Sequence, residues 1–98
     1  MKNEKVMPKR MKQILQNFAD KIQSTLFAAA EGKGKNTDIG NLTIWNIASL
    51  VRFTEMALDE EYKKASYLMF DISTSTRDCI PRSIFNWLEK HYSYKNYS

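Results

Sequence analysis

The side chains that ordinarily carry chemistry are few in this chain and badly placed for it. His91 is the only histidine and Cys79 the only cysteine, too few for a zinc site of the Cys/His kind. No charge pattern beside Cys79 suggests a lowered thiol pKa, so a structural thiol is the expectation there. Asp59, Glu60 and Glu61 could attract a divalent ion, but neighbouring positions on a helix face different directions. A solvated helix start explains that triplet more simply. Gly32-Lys33-Gly34-Lys35 lacks both the preceding strand and the spacing that aims backbone amides at phosphates. Neither Gly-x-Ser-x-Gly nor His-Glu-x-x-His occurs. The expectation is a non-enzymatic protein with no cofactor and no metal.

Charge is the more informative feature. The chain carries +4, with 15 Lys and Arg against 11 Asp and Glu. Residues 1–12 alone hold Lys2, Lys5, Lys9, Arg10 and Lys12 against Glu4, which accounts for the whole excess. The remainder is neutral. Such an arm can neutralise phosphates, and residues 1–8 read as a flexible basic arm. The polar-aromatic residues 92–98 read as a tail.

These features must be held by a small fold. Ninety-eight residues make one domain, 1–98, with a modest core that buries roughly 60–65% of the unfolded surface. A single cysteine excludes an internal disulfide framework and points to a reducing compartment. No apolar run fits a signal peptide or the ~20 residues of a membrane helix. The cytoplasm, with no membrane contact, is the expected location.

Pro8 suits the first turn of a helix. After it, Met11, Ile14, Leu15, Phe18, Ile22, Leu26 and Ala29 recur at spacings of three and four, a stripe roughly 120° wide at ~100° per residue. Phe27 projects nearly opposite that stripe. All three glycines fall within 31–41, the main loop. Residues 42–72 contain neither Gly nor Pro and read as helix, with a second helical phase starting between Thr54 and Asp59. Leu42, Ile44, Trp45, Ile47, Leu50, Val51 and Phe53 are dense enough to be the centre of the core. The run 73–76 weakens the helix through its hydroxyl side chains. Asp78 and Pro81 then announce a last helix through Ile84, Phe85, Trp87, Leu88 and His91. The fold class is all-α, a compact bundle of four to five helices.

Within 42–68, the order Thr43-Ile44, Ile47-Ala48, a turn region, Thr54 and Leu58, followed by the aromatic Tyr62, resembles the helix-turn-helix of the tetracycline-repressor family. The resemblance implies that Ile47 and Ala48 anchor a first helix and that Thr54 starts a recognition helix lying in the major groove. Arg52 stands where the family's turn usually has Gly. Asp59, Glu60 and Glu61 stand where it usually presents Tyr and His towards DNA.

Two functional readings follow. In the first, a small regulatory protein of mobile-element type binds DNA through a helix pair and the basic arm, using Lys2, Lys5, Lys9, Arg10, Lys12, Arg52 and Thr54. In the second, a protein-binding helical module acts as an inhibitor, an anti-defence or immunity factor, or an adaptor, through Phe27, Trp45, Tyr67 and Trp87. Trp45 and Trp87 also read as core anchors. The wealth of aromatics predicts a homodimer. The feature that discriminates the readings is the acidic triplet: on the same side as the arm, it opposes major-groove docking.

Overall fold

Pro8 locks its own φ near −57°, and its carbonyl accepts the first helical hydrogen bond from Lys12 N at 2.9 Å. In a computed structural model that describes residues 6–31 and 43–92, this starts α1 (Lys9–Ala30). Then come α2 (Ile44–Leu58), α3 (Tyr62–Asp71), the single turn α4 (Thr74–Arg77) and α5 (Arg82–Tyr92). No strand occurs among the described residues, and the molecule is an all-α bundle. Of the loop expected over 31–41, all but Glu31 lies outside them.

Helix α2 begins where Thr43 Oγ1 accepts from Asn46 N at 3.2 Å, a side-chain N-cap. It then runs without interruption to Leu58, so the turn expected ahead of Thr54 is absent. Arg52 can occupy that position because mid-helix backbone makes no demand for glycine. The chain turns at 59–61 instead. There Glu61 N bonds Met56 O at 2.9 Å and Glu60 N bonds Ala57 O at 3.1 Å. These two bonds make a Schellman motif. Its left-handed position, usually glycine, is Glu60 at φ 64°.

Ser73 ends one helix and starts the next. Its Oγ accepts from Thr76 N at 3.4 Å and shares a 2.8 Å hydrogen bond with Thr76 Oγ1. The hydroxyl run thus nucleates α4 as well as ending α3. Arg77 closes α3 from below: Nε donates to Met69 O at 2.9 Å, and Nη2 to Phe70 O at 3.3 Å and Ile72 O at 3.1 Å.

The core draws on Leu15, Phe18 and Ile22 of α1, Leu50, Phe53 and Ala57 of α2, Ala65 and Met69 of α3, and Ile84 and Leu88 of α5. At one end Tyr62, Trp87 and Tyr92 pack ring against ring with centroids 5.0–5.6 Å apart. One residue of each expected terminal segment belongs to the core. Met7 is buried, and its N–H donates to Tyr62 Oη at 3.1 Å, which fastens the arm at residue 7. Tyr92 belongs to α5 and to the core, not to a tail.

Candidate functional site

Lys12 and Glu60 set the geometry of the two longest helices. Lys12 Nζ lies 2.8 Å from Glu60 Oε2, joining the start of α1 to the turn just beyond the end of α2. The two helices are therefore antiparallel, forming a hairpin whose tip is the end where the chain passes from 30 to 44. Fifteen residues separate Lys12 from Phe27, and fifteen separate Trp45 from Glu60. At about 1.5 Å per residue, Phe27 and Trp45 both lie towards the tip. Each lies about 140° round its helix from the buried side, counting 100° per residue. They are the two most exposed large aromatics described, Trp45 at 79% and Phe27 at 70%. Ile44, one position away, is 38% exposed.

This tip corrects the sequence reading in one respect and extends it in another. Trp45 and Ile44 were expected at the centre of the core. The inner side of α2 is filled instead by Ile47, Leu50, Phe53, Thr54 and Ala57, which leaves 44 and 45 outside. Ile44 was not among the candidate site residues. Its signal was its place in the first turn of α2, ahead of the inner stripe.

Of the other candidate interface residues, Tyr67 on α3 is 46% exposed, well away in sequence from the tip. Trp87 is 9% exposed and stacks edge-on to Tyr62 at 5.0 Å. It is a core anchor, so its indole is not available to a partner.

Among the described candidates for nucleic-acid binding, Thr54 is not on the surface and Lys12 is paired. Lys2 and Lys5 lie outside the described residues. Lys9 and Arg10 are exposed in the first turn of α1. Lys12 is engaged by Glu60, whose hydrogen-bonding carboxylate raises the Lys12 pKa above its ordinary value. Arg52 is exposed on the middle of α2. Thr54 is fully buried, its Oγ1 donating to Val51 O at 2.7 Å, so it neither starts a helix nor reaches a groove. Three more cations are occupied internally: Lys64 by Glu61 at 3.4 Å, Arg77 by the α3 carbonyls, and Arg82 over the Phe85 ring at 5.6 Å.

The acidic triplet settles at the end of the bundle where the arm is rooted, because Glu60 touches Lys12 and Tyr62 holds Met7. Cys79 is half-buried, with its thiol 3.7 Å from Ser75 O. Burial first, then the charge of Asp78, pushes its pKa up, the reverse of what activates a nucleophile. His91 is half-buried against the Trp87 ring at 5.0 Å. Among the described residues no three metal-ligating side chains gather, and no helix is long and apolar enough to cross a membrane.

Compared with known proteins, the chain matches no family model, no curated protein and no solved structure.

Proposed function

We propose that this chain is a non-enzymatic protein-binding module that acts through the tip of the α1–α2 hairpin. The observation that carries the reading is Trp45 at 79% exposure, with Phe27 at 70% towards the same end of the hairpin. The bundle buries Phe18, Phe53, Tyr62, Trp87 and Tyr92. Leaving an indole and a phenyl ring in water forgoes core area that a small domain needs. Aromatics presented in this way are characteristic of protein interfaces. The acidic turn at the arm's root supports the same choice, since it opposes the approach of a phosphate backbone.

A photo-crosslinking amino acid in place of Phe27, introduced in the native host, tests this reading. The expected product is a discrete protein–protein adduct that survives nuclease treatment. A nuclease-sensitive adduct, or none, refutes it.

One observation favours the arm-on-phosphate reading as a second. Lys9, Arg10 and Lys12 crowd the first turn of α1, where the helix dipole disfavours cations and favours an anion. On this reading Lys2, Lys5, Lys9 and Arg10 each release a counterion, and labelled duplex DNA should bind with a log–log salt slope near −4. Lys12→Ala should leave that slope unchanged, since Glu60 already neutralises it. No binding at low salt retires this reading.

A further inference from the structure

Helix α2 presents one surface by itself, because it runs unbroken from Ile44 to Leu58. Ile47, Leu50, Phe53, Thr54 and Ala57 make its buried side. At 100° per residue, Trp45, Ala48, Ser49 and Arg52 share an arc of about 100° on the side away from them. Trp45, Ala48 and Arg52 are exposed, and Ser49 is half-buried. The Ser49 hydroxyl donates to Trp45 O at 3.1 Å, so covering this face strands no donor there. A rise of about 1.5 Å per residue sets Trp45 and Arg52 about 10 Å apart along the helix, and they do not stack on each other.

Each of these two side chains lacks what the other supplies. Trp45 is the most exposed large apolar residue described. Arg77 and Arg82 lie over the Phe70 and Phe85 rings at 5.4 and 5.6 Å, whereas no ring, carboxylate or carbonyl engages the Arg52 guanidinium among the described residues. A guanidinium over an indole face is held by the ring quadrupole. Two copies of α2 laid antiparallel, about an axis passing between 48 and 49, bring position 45 of each opposite position 52 of the other. Both contacts form at once, as a two-fold interface requires. Ala48 and Ser49 fall at the crossing, where small side chains admit an interaxial distance at the short end of the usual ~8–10 Å. Arg52 and Glu55 are the only charges on α2 and they cancel, so two such faces meet without net repulsion.

We propose that a second copy of this chain docks antiparallel on the outer face of α2, each Trp45 indole receiving the Arg52 guanidinium of the other copy about a two-fold axis beside Ala48 and Ser49. This rests on the reading of Trp45 as a protein-contacting side chain and names its partner. One helix face is a small interface, so the dimer is a weak, exchanging one.

Sedimentation equilibrium of the full chain up to about 1 mM provides the test, with far-UV circular dichroism confirming that each variant is folded. The expected result is a monomer–dimer equilibrium that Trp45→Ala weakens at least ~30-fold, as truncation of a central aromatic anchor does. Arg52→Ala should weaken it about 10-fold, and should add little in the Trp45→Ala background, because the two side chains form one contact. Tyr67→Ala removes an exposed aromatic from α3 and should leave it unchanged. Ala48→Cys in a Cys79→Ser background should oxidise in air to a disulfide-linked dimer, since the axis sets the two β-carbons about 4 Å apart. A wild-type monomer at the highest concentration overturns the proposal. So does a dimer that Tyr67→Ala weakens as much as Trp45→Ala, or one in which the Trp45 and Arg52 effects are fully additive. If the monomer still crosslinks through position 27 to a different protein, the second-copy proposal alone falls. If it crosslinks to nothing, the protein-binding reading falls with it.

Discussion

Arg77 closes the end of α3, and its removal should be among the most costly single changes away from the apolar core. Its guanidinium reaches three carbonyls, those of Met69, Phe70 and Ile72, at 2.9–3.3 Å, and stands 5.4 Å from the Phe70 ring. A hydrogen bond from a charged donor is worth about 1.5–3 kcal/mol where the freed acceptor stays dry. These carbonyls are only partly buried, so water recovers much of that once the side chain is gone. Three such bonds, together with a cation placed at a helix C-terminus, then amount to about 3 kcal/mol. That is a large part of the ~5–15 kcal/mol available to a domain of this length. Arg77→Ala should lower Tm by roughly 12–24 °C in a circular dichroism melt. Arg77→Lys keeps the charge but offers no planar fork, and about half the loss should remain. An alanine variant within about 0.5 kcal/mol of wild type, a size typical of inconsequential surface changes, would show that water replaces the fork completely. A lysine variant equal to wild type would show that the charge matters and the fork does not.

Other expectations follow from particular side chains. Ser66 Oγ is buried without a hydrogen-bond partner among the described residues, so Ser66→Ala should raise stability by about 1 kcal/mol in urea titration; a loss would reveal a hidden partner. Glu60 occupies a left-handed position that penalises any side chain, so Glu60→Gly should melt higher than Glu60→Ala despite both losing the Lys12 pair, and the reverse order refutes the Schellman assignment. Burial raises the Cys79 pKa, so the unfolded chain releases the thiol proton first. Stability should therefore be unaffected by this group below the ordinary thiol range and fall from roughly pH 8.5 upward. Lys12 loses its contribution in the same direction at higher pH, because its pKa too is raised in the fold. A Cys79→Ser variant with the same alkaline decline as wild type would remove the thiol as a cause.

The helical class was legible because the pattern that encodes it is local and repeated. Leu15, Phe18, Ile22 and their neighbours mark α1 at the right spacing, and Pro8 marks its start. What could not be read was direction within a dense apolar run. Counting apolar types over 42–58 makes the whole segment look buried. In fact Ile47, Leu50, Phe53, Thr54 and Ala57 fill the inner side and turn Ile44 and Trp45 outward. Thr54 can join that inner face because Val51 O satisfies its hydroxyl, so a residue type associated with helix starts sits mid-helix at little cost. The turn could be narrowed only to the window from Thr54 to Asp59, for a related reason. Gly marks a left-handed C-terminus, and here Glu60 takes that place with its carboxylate held by Lys12. Arg52, in the position where a turn was expected, is an ordinary helix former.

Two departures from local rules therefore stand out, and they differ in what accompanies them. Glu60 adopts a backbone angle that suits glycine, but the fold supplies its compensation on the spot: the two Schellman hydrogen bonds and the Lys12 ammonium. The strain is answered internally and calls for no ligand. Trp45 and Phe27 are different. Nothing described in the fold answers the cost of leaving them in water, although α2 packs well without them and smaller polar residues at 27 and 45 would keep the same helices. Departures that the fold does not compensate are where selection on something other than folding is expected to act. By that criterion the proposed protein-binding role falls to the tip of the α1–α2 hairpin. The basic root of α1, where an acidic turn already meets Lys12, satisfies the criterion only in the exposed pair Lys9 and Arg10.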